Sequence, residues 1–134
     1  MRALQLLLLT VFAVTMAATP APAHHSFAAE FDANKKFEMT GKVTKVEWMN
    51  PHTFFYIDVT DEKTGKVTNW GMEMGSPNIL MRNGWRRDTM KIGDMVTVTG
   101  SLAKDGTPTG NASTVVLVAT KKRLFAGSSQ GVTP

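Results

Sequence analysis

A chain of 134 residues has room for one domain of ordinary size and none for a second. With 43% hydrophobic and 19% charged residues it can bury a core, which excludes a fully disordered chain. The net charge is +4, and the absence of cysteine excludes disulfide staples, thiolate zinc sites and cysteine nucleophiles.

The opening stretch predicts export. Arg2 supplies a positive start, Leu6 to Ala18 is apolar apart from Thr10 and Thr15, and Ala21-Pro22-Ala23 offers the small residues of a signal-peptidase site. The run is shorter than the roughly 20 apolar residues that span a bilayer, so residues 1–23 read as a cleaved signal peptide rather than an anchor. No lipidation cysteine follows. Cleavage removes one Arg, and the +4 becomes +3. That mild surplus lacks the dense basic stripe of a nucleic-acid binder.

Residues 24–35 read as an N-terminal arm, 36–126 as a folded domain and 127–134 as a flexible tail. Lys36 to Met49 predicts a first strand, with Gly41 inside it marking a bulge or bend and Asn50-Pro51 ending it. Thr53 to Thr60 alternates, placing Phe55, Ile57 and Val59 on one face and Phe54, Tyr56 and Asp58 on the other. Asp61 to Gly65 predicts a hairpin loop. Lys66 to Met74 returns with Trp70, Met72 and Met74 on one side and Asn69, Gly71 and Glu73 on the other.

Ser76-Pro77 has the form of a helix start, Ser as N-cap and Pro in the first turn, and Asn83-Gly84 of a helix stop. Ile79, Leu80 and Trp85 are then expected to plug the sheet. Met95 to Ala103 predicts a fourth strand with Val96 and Val98 inward, and Ala112 to Thr120 a fifth after the Asp105-Gly106 turn. Arg123 to Phe125 is expected to add a short edge. Three strands, a short helix and two strands match the order of the OB-fold, so the expected fold is all-β with one short helix, a small five-stranded OB-like barrel.

The three histidines carry the chemistry on offer. Cleavage after Ala23 would leave His24 with a free α-amine beside its own imidazole, and amine plus ring Nδ1 can chelate one metal. His25 or His52 would complete a three- or four-nitrogen set. Nitrogen donors in such an arrangement favour Cu(II) or Ni(II), and Cu(II) stands highest in the affinity order. The plainer reading leaves His24 and His25 solvated on an arm that docks through Phe27 and Phe31, and makes His52 a turn-capping group. Glu73 is read either as an acceptor for a histidine N–H or an oxygen ligand, or as the partner of a surface arginine, Arg86 or Arg87. Met72 and Met74 share a strand face and could offer thioethers to Cu(I), but flexible filling of a small core explains them better.

Catalysis finds little to stand on. No H-E-x-x-H, phosphate-binding loop or dinucleotide fingerprint occurs, and Ser26 lies on the arm. Asp58, Asp61 and Glu62 cluster near a hairpin tip, where solubility accounts for them. Trp48, Phe54 and Tyr56 suit base stacking, but export and the weak charge argue against nucleic acid. Arg86-Arg87 and Lys121-Lys122-Arg123 read as solvated basic faces, with Arg86 and Arg87 as contacts for an anion or partner.

AHHSFAAEFD (Ala23 to Asp32), VTKVEWMNPH (Val43 to His52), WGMEMGSPN (Trp70 to Asn78) and NGWRRDTMKIGDMVTVTG (Asn83 to Gly100) together resemble a family of small exported bacterial proteins classed as a domain of unknown function. The resemblance spans most of residues 23–127, and its distinctive parts are His-His-Ser-Phe and Asn-Pro-His. It implies a periplasmic or secreted Gram-negative protein and brings no activity. The G-D-x-V-x-V-x-G stretch is also similar to periplasmic OB-fold proteins. The expectation is therefore a periplasmic or secreted, non-enzymatic binding protein without a membrane span after cleavage, using His24, His25 and His52 to bind copper. The alternative is a cell-envelope interaction module that contacts a periplasmic protein or a small ligand and has no metal role.

Overall fold

The computed structural model describes residues 27–127. The expected signal peptide, His24, His25 and all of the expected tail but Gly127 lie outside the described residues. In chain order the elements are α1 (Phe27–Glu30), β1 (Phe31–Glu47), β2 (Phe54–Thr60), β3 (Val67–Glu73), α2 (Pro77–Arg82), β4 (Met95–Ala103), β5 (Thr109–Leu117) and β6 (Lys122–Phe125). The sheet order is β3-β2-β1-β4-β5-β6, and every neighbouring pair is antiparallel. A further parallel pairing of β3 with β5 closes the sheet into a ring.

Period-two alternation accounts for the faces. Phe55 and Ile57 on β2, Met72 on β3, Val96 and Val98 on β4, and Val115 on β5 all point into one buried cluster. Met72 and Met74 belong to that cluster, as core filling requires. The helix α2 forms where expected: the Ser76 hydroxyl accepts from Ile79 N–H at 3.4 Å, Pro77 occupies the first turn, and Asn83 and Gly84 end it, Gly84 at φ +90°. Leu80 and Trp85 enter the cluster from this side, and the Trp85 indole donates to Phe125 carbonyl at 2.7 Å. That bond ties the helical segment to β6.

Glycine is required at two close approaches. A Cβ on Gly41 would lie 2.7 Å from the Asp58 carbonyl oxygen, just before the bulge between Val43 and Lys45, where β1 continues against β2 beyond its pairing with β4. A Cβ on Gly110 would lie 2.5 Å from the Phe37 ring, at the β3–β5 closure.

Three boundaries differ from expectation. β1 starts at Phe31 rather than Lys36, because Phe31 is buried and pairs with Ala103, while Asn34 N–H bonds the Asp32 carboxylate in the register shift between Phe31 and Lys36. Residues 27–35, read as an arm, are thus α1 and the start of β1, with the Phe27 and Phe31 rings 5.7 Å apart. β5 begins at Thr109 rather than Ala112, because Asp105 accepts from both the N–H and the hydroxyl of Thr107 and closes the turn early, leaving Thr109 to pair with Gly71. The short edge at Arg123 to Phe125 is a full partner of β5, making six strands instead of five.

Trp85→Ala is expected to cost about 3–5 kcal/mol, measured by chemical denaturation, because it empties a large buried site and removes the bond to Phe125. Asp61 offers a pH-dependent counterpart. Its carboxylate accepts the Thr64 and Lys63 N–H groups at 2.9 Å each, and these bonds hold its pKa below the ordinary aspartate value. A depressed folded pKa contributes stability above the unfolded pKa and loses it as pH falls through the folded value. The loss caused by Asp61→Ala, read as a denaturation midpoint, should therefore be larger at neutral pH and shrink in acid.

Candidate functional site

The first sharp corner of the fold is made by Asn50-Pro51, joined by a cis peptide bond, between β1 and β2. Pairing of β2 with β3 continues one residue past the strand ends: Thr53 N–H bonds Gly75 carbonyl at 3.1 Å and Met74 N–H bonds Thr53 carbonyl at 2.8 Å. His52 is therefore fixed immediately beside the ladder. On β3, alternation sends Met72 and Met74 into the core and turns Glu73 to the other face, where it pairs with Phe54 on one side and Asn111 on the other.

These two positions meet. His52 Nδ1 lies 2.8 Å from Glu73 Oε1. The Glu73 side chain is only 10% exposed, whereas the His52 side chain is 31% exposed. Donation of Nδ1–H to a largely buried carboxylate selects one tautomer of the neutral ring and leaves Nε2 as the basic nitrogen. Solvent reaches the imidazole while the carboxylate that orients it is shielded. Chemically, such a pair can present one nitrogen lone pair to a metal or a proton, or become an ion pair when the ring is protonated.

The neighbouring rows of the same face are polar and joined to one another. Tyr56, paired with Lys45 and Gly71, donates its hydroxyl to Glu47 Oε2 at 3.2 Å. Lys45 forms a salt bridge with Glu47 and lies 5.3 Å from the centre of the Tyr56 ring. The Lys45 hydrogen bond holds the Glu47 carboxyl below its ordinary pKa, and burial raises that of Tyr56, with the Glu47 bond adding to the rise. One row further, Asn69 donates to Asp58 at 2.8 Å and to the Thr44 hydroxyl at 3.1 Å. Sequence reading missed the Lys45–Glu47–Tyr56 group; its signal was the spacing of Lys45 and Glu47 on one face of β1, but their pairing with Tyr56 depends on register.

The other residues singled out from sequence are placed as follows. Glu73 is bonded to His52, and among the described residues neither Arg86 nor Arg87 forms an ion pair with it. Both arginines are exposed, in a turn closed by Thr89 N–H to Arg86 carbonyl at 3.0 Å and Arg86 N–H to the Thr89 hydroxyl at 2.7 Å. Trp48 packs against the core, whereas Phe54 and Tyr56 lie half-buried on the outer face. Thr53 is fully buried, and among the described residues its hydroxyl has no hydrogen-bond partner. Among the described residues no cluster of three or more His, Asp or Glu side chains converges, so His52 and Glu73 would need further donors to hold a metal. His24 and His25 lie outside the described residues. No helix among the described residues is long and apolar enough to cross a membrane.

Residues 12–112 match the model of a family described as of unknown function (DUF6152). No curated protein matches the chain.

Neutral His52 is expected to be mainly the Nδ1–H tautomer, read from its imidazole 15N chemical shifts. Glu73→Ala should move those shifts toward the Nε2–H tautomer that a free imidazole prefers; identical shifts in the two proteins would mean that the carboxylate does not orient the ring.

Proposed function

The chain belongs to the DUF6152 family, which has no assigned activity, and we propose from its own geometry that it is an exported, non-enzymatic protein that binds copper. His52 would supply Nε2, and His24 and His25 would supply imidazoles, with the α-amine that signal cleavage frees at His24. Glu73 orients His52 and takes no place among the metal donors. The observation carrying this reading is the 2.8 Å contact between His52 Nδ1 and a shielded Glu73 carboxylate, an arrangement that recurs behind metal-bound histidines.

A second feature supports a shared site. The helix α1, with which the described chain begins, is held to the β4–β5 connection: Lys104 N–H bonds Glu30 carbonyl at 2.9 Å, and the Lys104 ammonium bonds Ala28 carbonyl. The same connection bonds β3 through Gly71 N–H to Pro108 carbonyl at 3.0 Å, two residues before Glu73. The histidines a few residues ahead of α1 therefore precede a segment anchored next to the strand that carries Glu73. An all-nitrogen set disfavours Mg²⁺, which takes oxygen ligands, and the affinity order places Cu(II) above Zn²⁺.

Cu(II) titration of the processed protein, followed by electron paramagnetic resonance, tests the reading. Nitrogen coordination is expected, His52→Ala should weaken binding and change the spectrum, and Glu73→Gln should lower affinity by about 10–100-fold. A form extended upstream of His24 should bind worse because its α-amine is blocked, and acid should release the metal as the imidazoles protonate. If His52→Ala leaves spectrum and affinity unaltered, the shared site is wrong and an envelope interaction module takes its place.

A further inference from the structure

Independently of the metal reading, the structure assigns a second surface, at the start of β4 and the end of β5, and we infer that it docks on an anionic lipid bilayer. Ile92, Met95 and Val118 stand 72%, 45% and 45% exposed. They are neighbours by backbone pairing. Ile92 lies in the turn closed by Asp94 N–H to Lys91 carbonyl at 3.1 Å, Met95 follows that turn directly, and Val118 N–H bonds Met95 carbonyl at 3.0 Å. Alternation along β4 forces Met95 outward, since Val96 is fully buried. Two adjacent turns therefore carry unbranched or β-branched apolar side chains within them or directly beside them, where contact with water calls for polar ones.

The charges around these side chains select the occupant. Lys42 pairs with Met95, Lys91 adjoins Ile92, Lys122 pairs with Leu117, and Lys121 stands exposed in the β5–β6 turn. The acids here are Asp58, which pairs with Lys42 and accepts from Asn69 at 2.8 Å, and Asp88 and Asp94, which line the shallow groove beside Met95 and Leu117; the Asp94 carboxylate already accepts Lys91 N–H at 2.8 Å, so the four lysines exceed the three acids. Lysine is depleted in protein–protein interfaces, and none of the three apolar residues is an aromatic on which a base could stack. Small apolar side chains that enter the headgroup boundary, with lysines level with anionic phosphates, are the combination that binds a bilayer surface without crossing it.

Cosedimentation of the exported, processed protein with phosphatidylcholine vesicles, alone or mixed with phosphatidylglycerol, tests the inference. Binding is expected to the mixed vesicles and to weaken with added salt. Ile92→Asp should cut it by about tenfold or more, as loss of one inserted aliphatic side chain would. Lys121→Ser combined with Lys122→Ser should also cut it, whereas Val67→Asp, exposed on β3 away from these turns, should not. Circular dichroism establishes that each variant is folded. No binding, equal binding to both vesicle types, or an Ile92→Asp variant that binds like the parent would each overturn the inference. So would a concentration-dependent dimer abolished by Ile92→Asp, which would identify this surface as a contact between copies.

Discussion

Closure of the sheet by the short parallel pairing of β3 with β5 is the constraint on which the rest depends. It joins Gly71 to Thr109, Met72 to Gly110 and Glu73 to Asn111. Without it β3 would be an edge strand, with unpaired backbone groups along its free side. The pairing is possible because Gly110 has no side chain: the Phe37 ring occupies the space where a Cβ would stand. The contact that completes the core also brings Glu73 against β5 and lowers its exposure. Core packing and the shielding of the site's carboxylate thus share one cause.

A shielded carboxylate beside a solvent-reachable imidazole is an asymmetric pair. Burial makes the carboxylate a poor place to leave unpaired, so it holds the imidazole N–H strongly. The exposed side of the ring is then the reactive one. The adjacent Lys45–Glu47–Tyr56 group is different in kind, since its charges are paired with one another at the surface, where such contacts add little stability. Of the three polar groups on this face among the described residues, only His52 with Glu73 combines a shielded orienting carboxylate with a partly exposed imidazole. The apolar side chains around Ile92 form a separate surface with separate physics, governed by desolvation and lysine charge rather than by lone pairs.

Much of the architecture was legible because the deciding interactions are local. The Ser76-Pro77 start and Asn83-Gly84 stop of α2 are capping chemistry within a few residues, and both appear where the residue types demand. The inward positions of Phe55, Ile57, Val96 and Val98 follow from alternation. β4 runs from Met95 to Ala103, as its β-branched pattern indicates. The misplaced limits of β1 and β5 have the opposite character. Phe31 and Thr109 are strand residues because of partners distant in sequence, Ala103 and Gly71, and nothing within a few residues of either announces that. β6 likewise exists through pairing with β5 and the Trp85 bond to Phe125.

The site divides along the same line. Composition and alternation alone singled out His52 as one of three histidines and turned Glu73 away from the methionine face, because residue type and strand periodicity are properties of the chain itself. That the two touch, and that Arg86 and Arg87 are not the partners of Glu73 among the described residues, was decided only by tertiary structure. Register between β2 and β3 sets which side chains stand opposite, and register is fixed by the collective burial of a core that no short stretch of sequence contains.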